Sequence, residues 1–157
     1  MTDIKIRPFD ITDIPAIRDI FREYEEYLNI DLCFQNFEDE LSNLPGDYNA
    51  PSGAIFIALV DDSLAGCVAL RPMDRTTCEM KRLYVKPDFR GLGLGRKLAV
   101  AIMDKAVEIG YCKMRLDTLD RLKEAMKLYS SLGFRKIKSY YHNPLKGVVY
   151  WELKLSD

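Results

Sequence analysis

The sequence has a single histidine, His142, and its four cysteines, Cys33, Cys67, Cys78 and Cys112, stand far apart with no CxxC pair. A structural zinc site needs closely spaced thiols or more imidazoles, so no metal is expected and the cysteines read as reduced, mostly buried thiols. Long apolar runs are missing too. None nears the roughly 18 to 20 residues that a membrane helix requires, and Met1-Thr2-Asp3-Ile4-Lys5 lacks the apolar core of a secretion signal. No membrane contact and a cytoplasmic location are therefore expected. Repeats and low-complexity tracts are absent, and so is an excess of positive charge: the formal net charge of -1 excludes the basic field of a nucleic-acid binder.

What is present fits one globular domain over residues 1–157, with 48% apolar and 30% charged residues. The charge is unevenly distributed. Between Phe21 and Asp47 eight acids (Glu23, Glu25, Glu26, Asp31, Glu38, Asp39, Glu40, Asp47) meet one base, Arg22. Between Arg71 and Lys97 eight bases meet three acids. Either one end of the molecule favours cations and the other anions, or these are solvated faces of helices and strands.

Alternation of Ile4 and Ile6 with polar residues reads as a strand over Asp3 to Pro8. A helix follows, capped by Thr12 and Asp13, with Ile14, Ile17, Phe21, Tyr24 and Leu28 on one stripe. A shorter helix is expected from about Phe34 to Leu44, ended by Pro45-Gly46-Asp47. Strands are expected over Ala54 to Val60, Leu64 to Arg71 and Cys78 to Lys86, an antiparallel meander. Then come a helix up to Gly110, a strand from Cys112 to Thr118 and a helix from Lys123 to Leu132. Strands from Phe134 to Tyr140 and Val148 to Leu155 close the chain. The order is β-α-α-β-β-β-α-β-α-β-β, a mixed α/β (α+β) domain with a mostly antiparallel sheet of about seven strands and about four helices.

Between the third strand of the meander and the next helix lies Arg90-Gly91-Leu92-Gly93-Leu94-Gly95. Glycines there permit positive φ and close approach, and a helix N-terminus favours negative charge, so the loop suits a pyrophosphate or is simply a tight turn. It follows a meander rather than the first strand of a βαβ series, which argues against a dinucleotide-binding fold. Gly95 is followed by Arg96-Lys97-Leu98, not by the Lys-Ser or Lys-Thr of a P-loop.

With this loop the chain resembles the GNAT superfamily of acyl-CoA N-acyltransferases. That family's signature is Arg or Gln, two residues, Gly, one residue, then Gly or Ala, and Arg90, Gly93 and Gly95 fill it. Glu79-Met80-Lys81-Arg82-Leu83-Tyr84-Val85-Lys86-Pro87 looks like the family's fourth strand, and Ala125 through Tyr129 to Gly133-Phe134 like its later helix-strand motif. The element order agrees over nearly the whole chain.

The resemblance implies an acetyltransferase that moves acetyl from acetyl-CoA to a primary amine by direct attack in a ternary complex, without a metal. Two residues are then candidates for proton transfer. Glu79, eleven residues before Arg90, is either the base that takes the amine proton through a water or an acid satisfied by Lys81, Arg82 or Arg115. Tyr129 is either the acid for the departing sulfur or a packing tyrosine. Leu83, Tyr84 and Val85 would line the pantetheine arm, with the Leu83 amide polarising the thioester carbonyl, and Arg90, Gly91, Leu92, Gly93, Leu94, Gly95 and Arg96 would hold the pyrophosphate. Leu122 departs from the asparagine that often precedes the tyrosine by seven residues. A non-catalytic acyl-CoA sensor is the alternative, against which intact Glu79 and Tyr129 speak. The acids from Glu23 to Asp47 suggest a cationic acceptor, a small molecule or a peptide. The oligomeric state stays open, with a homodimer among the options.

Overall fold

The computed structural model describes residues 2–32 and 36–156. Its elements follow the expected order: β1 (Ile4–Pro8), α1 (Ile14–Leu28), α2 (Phe37–Ser42), β2 (Ala54–Val60), β3 (Ser63–Pro72), β4 (Thr77–Val85), α3 (Leu94–Ile109), β5 (Lys113–Leu119), α4 (Lys123–Ser131), β6 (Arg135–Ile137) and β7 (Val148–Lys154). The expected start of the second helix at Phe34 lies outside the described residues. The strands form one seven-stranded sheet in the order β1-β2-β3-β4-β5-β7-β6, and only the β4–β5 pair is parallel.

Two apolar cores sandwich the sheet. On one face α3 buries Leu94, Leu98, Ile102 and Ala106 against Val68, Leu70, Cys78 and Met80, with Tyr129 of α4 and Trp151 at the margin. On the other, Ile17, Ile20 and Phe21 of α1 and Phe37 and Leu41 of α2 cover Ile55, Ile57, Cys67 and Ala69. Each α1 residue recurs at three- or four-residue spacing, so one stripe meets the sheet. Local chemistry fixes the helix ends. Asp10 and Asp13 form a capping box ahead of α1, and Asn29 takes a left-handed conformation behind it.

β6 is shorter than the sequence suggests, ending at Ile137 rather than Tyr140. The chain leaves the sheet edge there because Tyr140 and Tyr141 fold back onto the Tyr150 ring, at centroid distances of 5.1 and 5.7 Å, and hydrogen-bond to acids of β4 and β5.

β4 carries the decisive irregularity. Its register with β3 jumps from Cys67↔Tyr84 to Ala69↔Lys81, so Arg82 and Leu83 together face Val68. Arg82 sits at this bulge with φ of 60°, a conformation that costs a non-glycine residue on the order of 1 to 3 kcal/mol. Its side chain holds it there. Nε and an Nη donate to the two Glu40 carboxylate oxygens at 3.0 and 2.8 Å, and the guanidinium lies 5.1 Å from the centre of the Phe37 ring. The Cys67 thiol donates to the Arg82 carbonyl at 3.2 Å. The bulge thus ties α2 to the sheet.

Glu40→Ala would leave a buried guanidinium without its carboxylate, and a loss of about 3 to 5 kcal/mol in unfolding free energy is expected from urea titration. Glu38→Ala removes the exposed partner of Arg22, at side-chain exposures of 69% and 48%, and should cost under about 1 kcal/mol.

Candidate active site

The parallel ladder between β4 and β5 is short. Thr77, Cys78 and Glu79 pair with Lys113, Met114 and Arg115, and there it stops, because the bulge at Arg82 turns β4 away. Past Glu79 and Arg115 the ladder has no further pairs, leaving the edge of β4 around Leu83 without a strand partner on the β5 side. Two adjoining cavities border the opening. Tyr24, Leu28, Leu83, Asp117, Thr118, Leu122 and Tyr129 belong to the walls of both.

The larger cavity, a cleft of ≈ 480 Å³, runs between β4 and α4 and is walled by Leu83, Tyr84, Val85, Arg90, Ala125 and Leu128 among others. Its open end adjoins the glycine loop, where Gly95 lies beside Leu128. Gly91 and Gly93 have φ of 87° and 74°, and Gly93 is the N-cap of α3. The first amides of α3 have no earlier carbonyl to bond within the helix, so they point outward as donors. Gly95 is more telling. Its φ is not positive, and a Cβ built there would meet only Leu128 Cδ2, at 3.7 Å, an ordinary contact. Neither backbone conformation nor packing in the protein demands glycine at 95. A ligand approaching the helix start from outside supplies the reason, and a pyrophosphate on free amides fits it.

The sequence-expected cofactor residues therefore gather along one path but contribute differently. Leu83, Tyr84, Val85 and Arg90 line the cleft, whereas Gly91, Leu92, Gly93 and Arg96 are exposed on the loop and first turn. The Leu94 side chain is buried in the core, leaving its backbone for a ligand. Tyr84 turns its ring to the other face, where its hydroxyl donates to Glu23 at 2.8 Å. Arg90 reaches back to the Val85 carbonyl at 3.3 Å and stacks 4.7 Å from the centre of the Tyr27 ring. Arg96 donates to the Ser131 hydroxyl at 2.9 Å.

The second cavity is a narrower enclosure of ≈ 50 Å³ adjoining the cleft, closed by Ile30, Leu32, Asn143 and Leu145. Ionisable groups crowd its surroundings. Glu79 is 2% exposed; its carboxylate accepts from Arg71 at 2.8 Å and from the Tyr140 hydroxyl at 2.7 Å. Burial pushes its pKa up, but Lys81, Arg71 and the Tyr140 hydrogen bond outweigh burial and hold the carboxyl below the usual range. Its ion-pair partner is thus Arg71, while Arg82 turns to Glu40 and Arg115 to Glu152. Asp117 on β5 accepts from the Tyr141 hydroxyl, which in turn accepts from Asn143 at 2.9 Å. Lys81 is buried; desolvation and then the like charge of Arg82 lower its pKa, against Glu79 and Asp117.

Tyr129 packs edge-on to Phe134 at 5.7 Å, and burial pushes its hydroxyl pKa up, so it stays protonated throughout the physiological range. Tyr24 is likewise pushed up to about 12 by burial. Tyr24, Lys81, Asp117 and Arg121 were not singled out from the sequence as site residues. Nothing in a linear reading marks them, because Lys81 of β4 and Asp117 of β5 reach one enclosure only through the placing of those strands side by side. His142 is exposed and Cys78 buried. Among the described residues no His, Cys, Asp and Glu cluster could hold a metal ion, and no helix is long and apolar enough to cross a membrane.

The family model of the Acetyltransferase (GNAT) family matches residues 14–134, which include the walls of the cleft and the glycine loop. The chain belongs to this family. A relative from Schizosaccharomyces pombe, named an uncharacterised N-acetyltransferase, is 43% identical over 146 residues, covering 92% of this chain and 90% of its own. A GNAT acetyltransferase from Staphylococcus aureus superposes with a TM-score of 0.82 at 21% identity, over 98% of this chain and all of the other. The YncA protein of Salmonella typhimurium, described as an acetyltransferase with its cofactor acetyl-CoA, superposes with a TM-score of 0.71 at 21% identity, over 99% of this chain and 95% of the other. In this GNAT acetyltransferase the cleft beside β4 and the amides of the glycine loop fit acetyl-CoA, the former as an unpaired strand edge and the latter as free donors.

Because glycine at 95 answers no internal demand, Gly95→Ala should leave the melting temperature unchanged or raised. It should weaken acetyl-CoA binding at least about tenfold, the equivalent of roughly 1.4 kcal/mol. Thermal unfolding and isothermal titration on the same sample check both halves.

Proposed function

We propose that the chain transfers acetyl from acetyl-CoA to a primary amine by direct attack in a ternary complex, the amine entering from the narrow enclosure and the thioester from the cleft. The observation that carries this reading is the opening between β4 and β5, bordered by two adjoining cavities with Tyr129 in the wall of both.

Acetyl-CoA supplies the activated acyl group; the chain's residues orient it and manage the protons. The Leu83 amide, on the unpaired edge just past the bulge, is the donor available to a carbonyl oxygen in the opening. Tyr129, kept protonated by burial, is the proton donor for the departing sulfur. For the amine proton there are two carboxylates. Asp117 lies in the walls of both cavities, whereas Glu79 lies in neither and is held by Arg71 and Tyr140 with a lowered pKa, which makes it a weak base. The reading therefore gives the amine to Asp117 and makes Glu79 a positioning residue that fixes Tyr140 and offsets Lys81.

The acidic stretch lends little to the recruitment of a cationic acceptor. Glu23 accepts from Tyr84, Glu25 from the Leu32 amide, Glu38 pairs with Arg22 and Glu40 with Arg82. The acid that reaches the enclosure is Asp117, from β5.

Thiol release from acetyl-CoA with a panel of amines tests the activity, and stabilisation by ATP in place of CoA would overturn it. Tyr129→Phe should cut turnover about 10² to 10⁴-fold while acetyl-CoA affinity holds. Asp117→Asn should lower kcat/KM more than Glu79→Gln does, with the gap widening as pH falls and fewer amine molecules are neutral; the reverse order would return the base role to Glu79.

A further inference from the structure

We propose that the acceptor is a primary amine whose nitrogen carries a compact, uncharged hydrocarbon group, and that this group is seated in the narrow enclosure. The inference rests on the acetyl-transfer reading above and names the class of its acceptor.

Seventeen described residues wall the enclosure, and seven of them are shared with the cleft; of the other ten, seven are apolar and three, Lys81, Arg82 and Asn143, are polar. Each of the three is already engaged within the protein. Arg82 donates twice to Glu40. Asn143 donates to the Tyr141 hydroxyl and accepts from the Leu145 amide, both at 2.9 Å. Lys81 is buried and interacts with its own surroundings. A charged or hydroxylated substituent would therefore leave water for walls whose polar groups are committed, at a cost, whereas a hydrocarbon leaves water at a gain. The polar groups that suit a reacting nitrogen, Asp117, Thr118 and Tyr129, are in the wall shared with the cleft. The nitrogen accordingly belongs at that wall, and the group it carries belongs beyond it.

Packing points the same way. Leu28, Leu119, Leu122, Leu145 and Val148 wall the enclosure, yet none of them belongs to either apolar core. They come from α1, β5, β7 and two connecting segments, and Leu28 and Leu119 are only 4% and 8% exposed. Five apolar side chains thus surround a space of ≈ 50 Å³ instead of filling one another's contacts. A space of that size holds roughly four water-sized groups, which matches a branched alkyl group of about four or five carbons. Burial there disfavours the ammonium form and leaves more of the neutral amine that attacks the thioester. The nitrogen bonds the acetyl carbon as the carbon–sulfur bond breaks, and in net terms the proton lost by nitrogen is regained by sulfur.

The test measures thiol release from acetyl-CoA with methylamine, propylamine, isobutylamine and isopentylamine, and with three polar counterparts, ethanolamine, ethylenediamine and glycine. Thermal shift with acetyl-CoA is run on the same protein. Each buried methylene is worth roughly fourfold, so the wild type should use isobutylamine or isopentylamine at least about 30-fold better than methylamine in kcat/KM. It should use propylamine at least about tenfold better than ethanolamine or ethylenediamine, although both of these hold more neutral amine at a given pH. Leu145→Gln and Val148→Thr, each of which puts a polar group into the wall, should shrink the ratio of isobutylamine to methylamine at least about fivefold while acetyl-CoA still stabilises the protein. Methylamine or a polar counterpart used as well as the longer amines, or no use of any alkylamine by a protein that acetyl-CoA stabilises, would overturn the hydrocarbon acceptor and leave acetyl transfer standing. So would better use of isobutyryl-CoA than of acetyl-CoA with methylamine, which would give the enclosure to the acyl group. Two folded variants that keep the full ratio would overturn it as well, and if neither folds the wild-type comparison decides alone. Absence of any acetyl-CoA stabilisation would overturn the transfer reading and this inference with it.

Discussion

The ion pair between Arg82 and Glu40 is the constraint on which the working part of the molecule depends. A β-bulge is needed in β4 to part it from β5, and it places a non-glycine residue at φ of 60°. Such a conformation persists only when surrounding contacts over-determine it. Here they come from two directions: Glu40 and Phe37 of α2 grip the side chain, and the Cys67 thiol donates to the carbonyl. The strain, the opening of the sheet and the docking of α2 are one arrangement. Loosening the pair would let β4 relax toward a regular ladder and narrow its opening beside β5.

Charge is concentrated on the face of the sheet opposite α3, in a pattern that costs desolvation. Arg71 with Glu79, Arg82 with Glu40 and Arg115 with Glu152 are buried or half-buried pairs, and such pairs seldom stabilise a fold by much. Their place beside the enclosure gives them another use. Tyr140 and Tyr141 are drawn off the edge of the sheet by Glu79 and Asp117, and this is what ends β6 early. Some acids and bases of the charged runs pair with one another across elements, Arg71 with Glu79, Arg82 with Glu40, Lys86 with Glu23 and Arg22 with Glu38. The α3 face, in contrast, is apolar and regular, and it presents the cofactor with backbone donors rather than side-chain charge.

The two cavities are thus built from different kinds of information. The cleft and the glycine loop depend on main-chain geometry: a strand edge left open and a helix start stripped of side chains. Glycine and a strand-loop-helix order leave a trace in sequence, so the loop from Arg90 to Gly95 and the strand before it could be found by reading. The enclosure depends on which side chains converge from α1, β4, β5 and the β6–β7 connection, and convergence leaves no local trace.

By itself the sequence determined the element order, every strand to within a residue or two apart from β6, and the family, because periodicity, caps and glycine spacing are properties of neighbours along the chain. It also supplied Glu79 as a residue of interest, without saying that Arg71 and Tyr140 would claim it. Only the tertiary structure decided that β4 and β5 run parallel for three pairs and then part, and that Lys81 and Asp117 line one enclosure. The same holds for the acids before Asp47, several of which pair with Tyr84, Arg22 and Arg82. The physical reason is separation: these partners lie between 16 and 61 residues apart, and which charge meets which is set by register and packing that no window of the sequence contains.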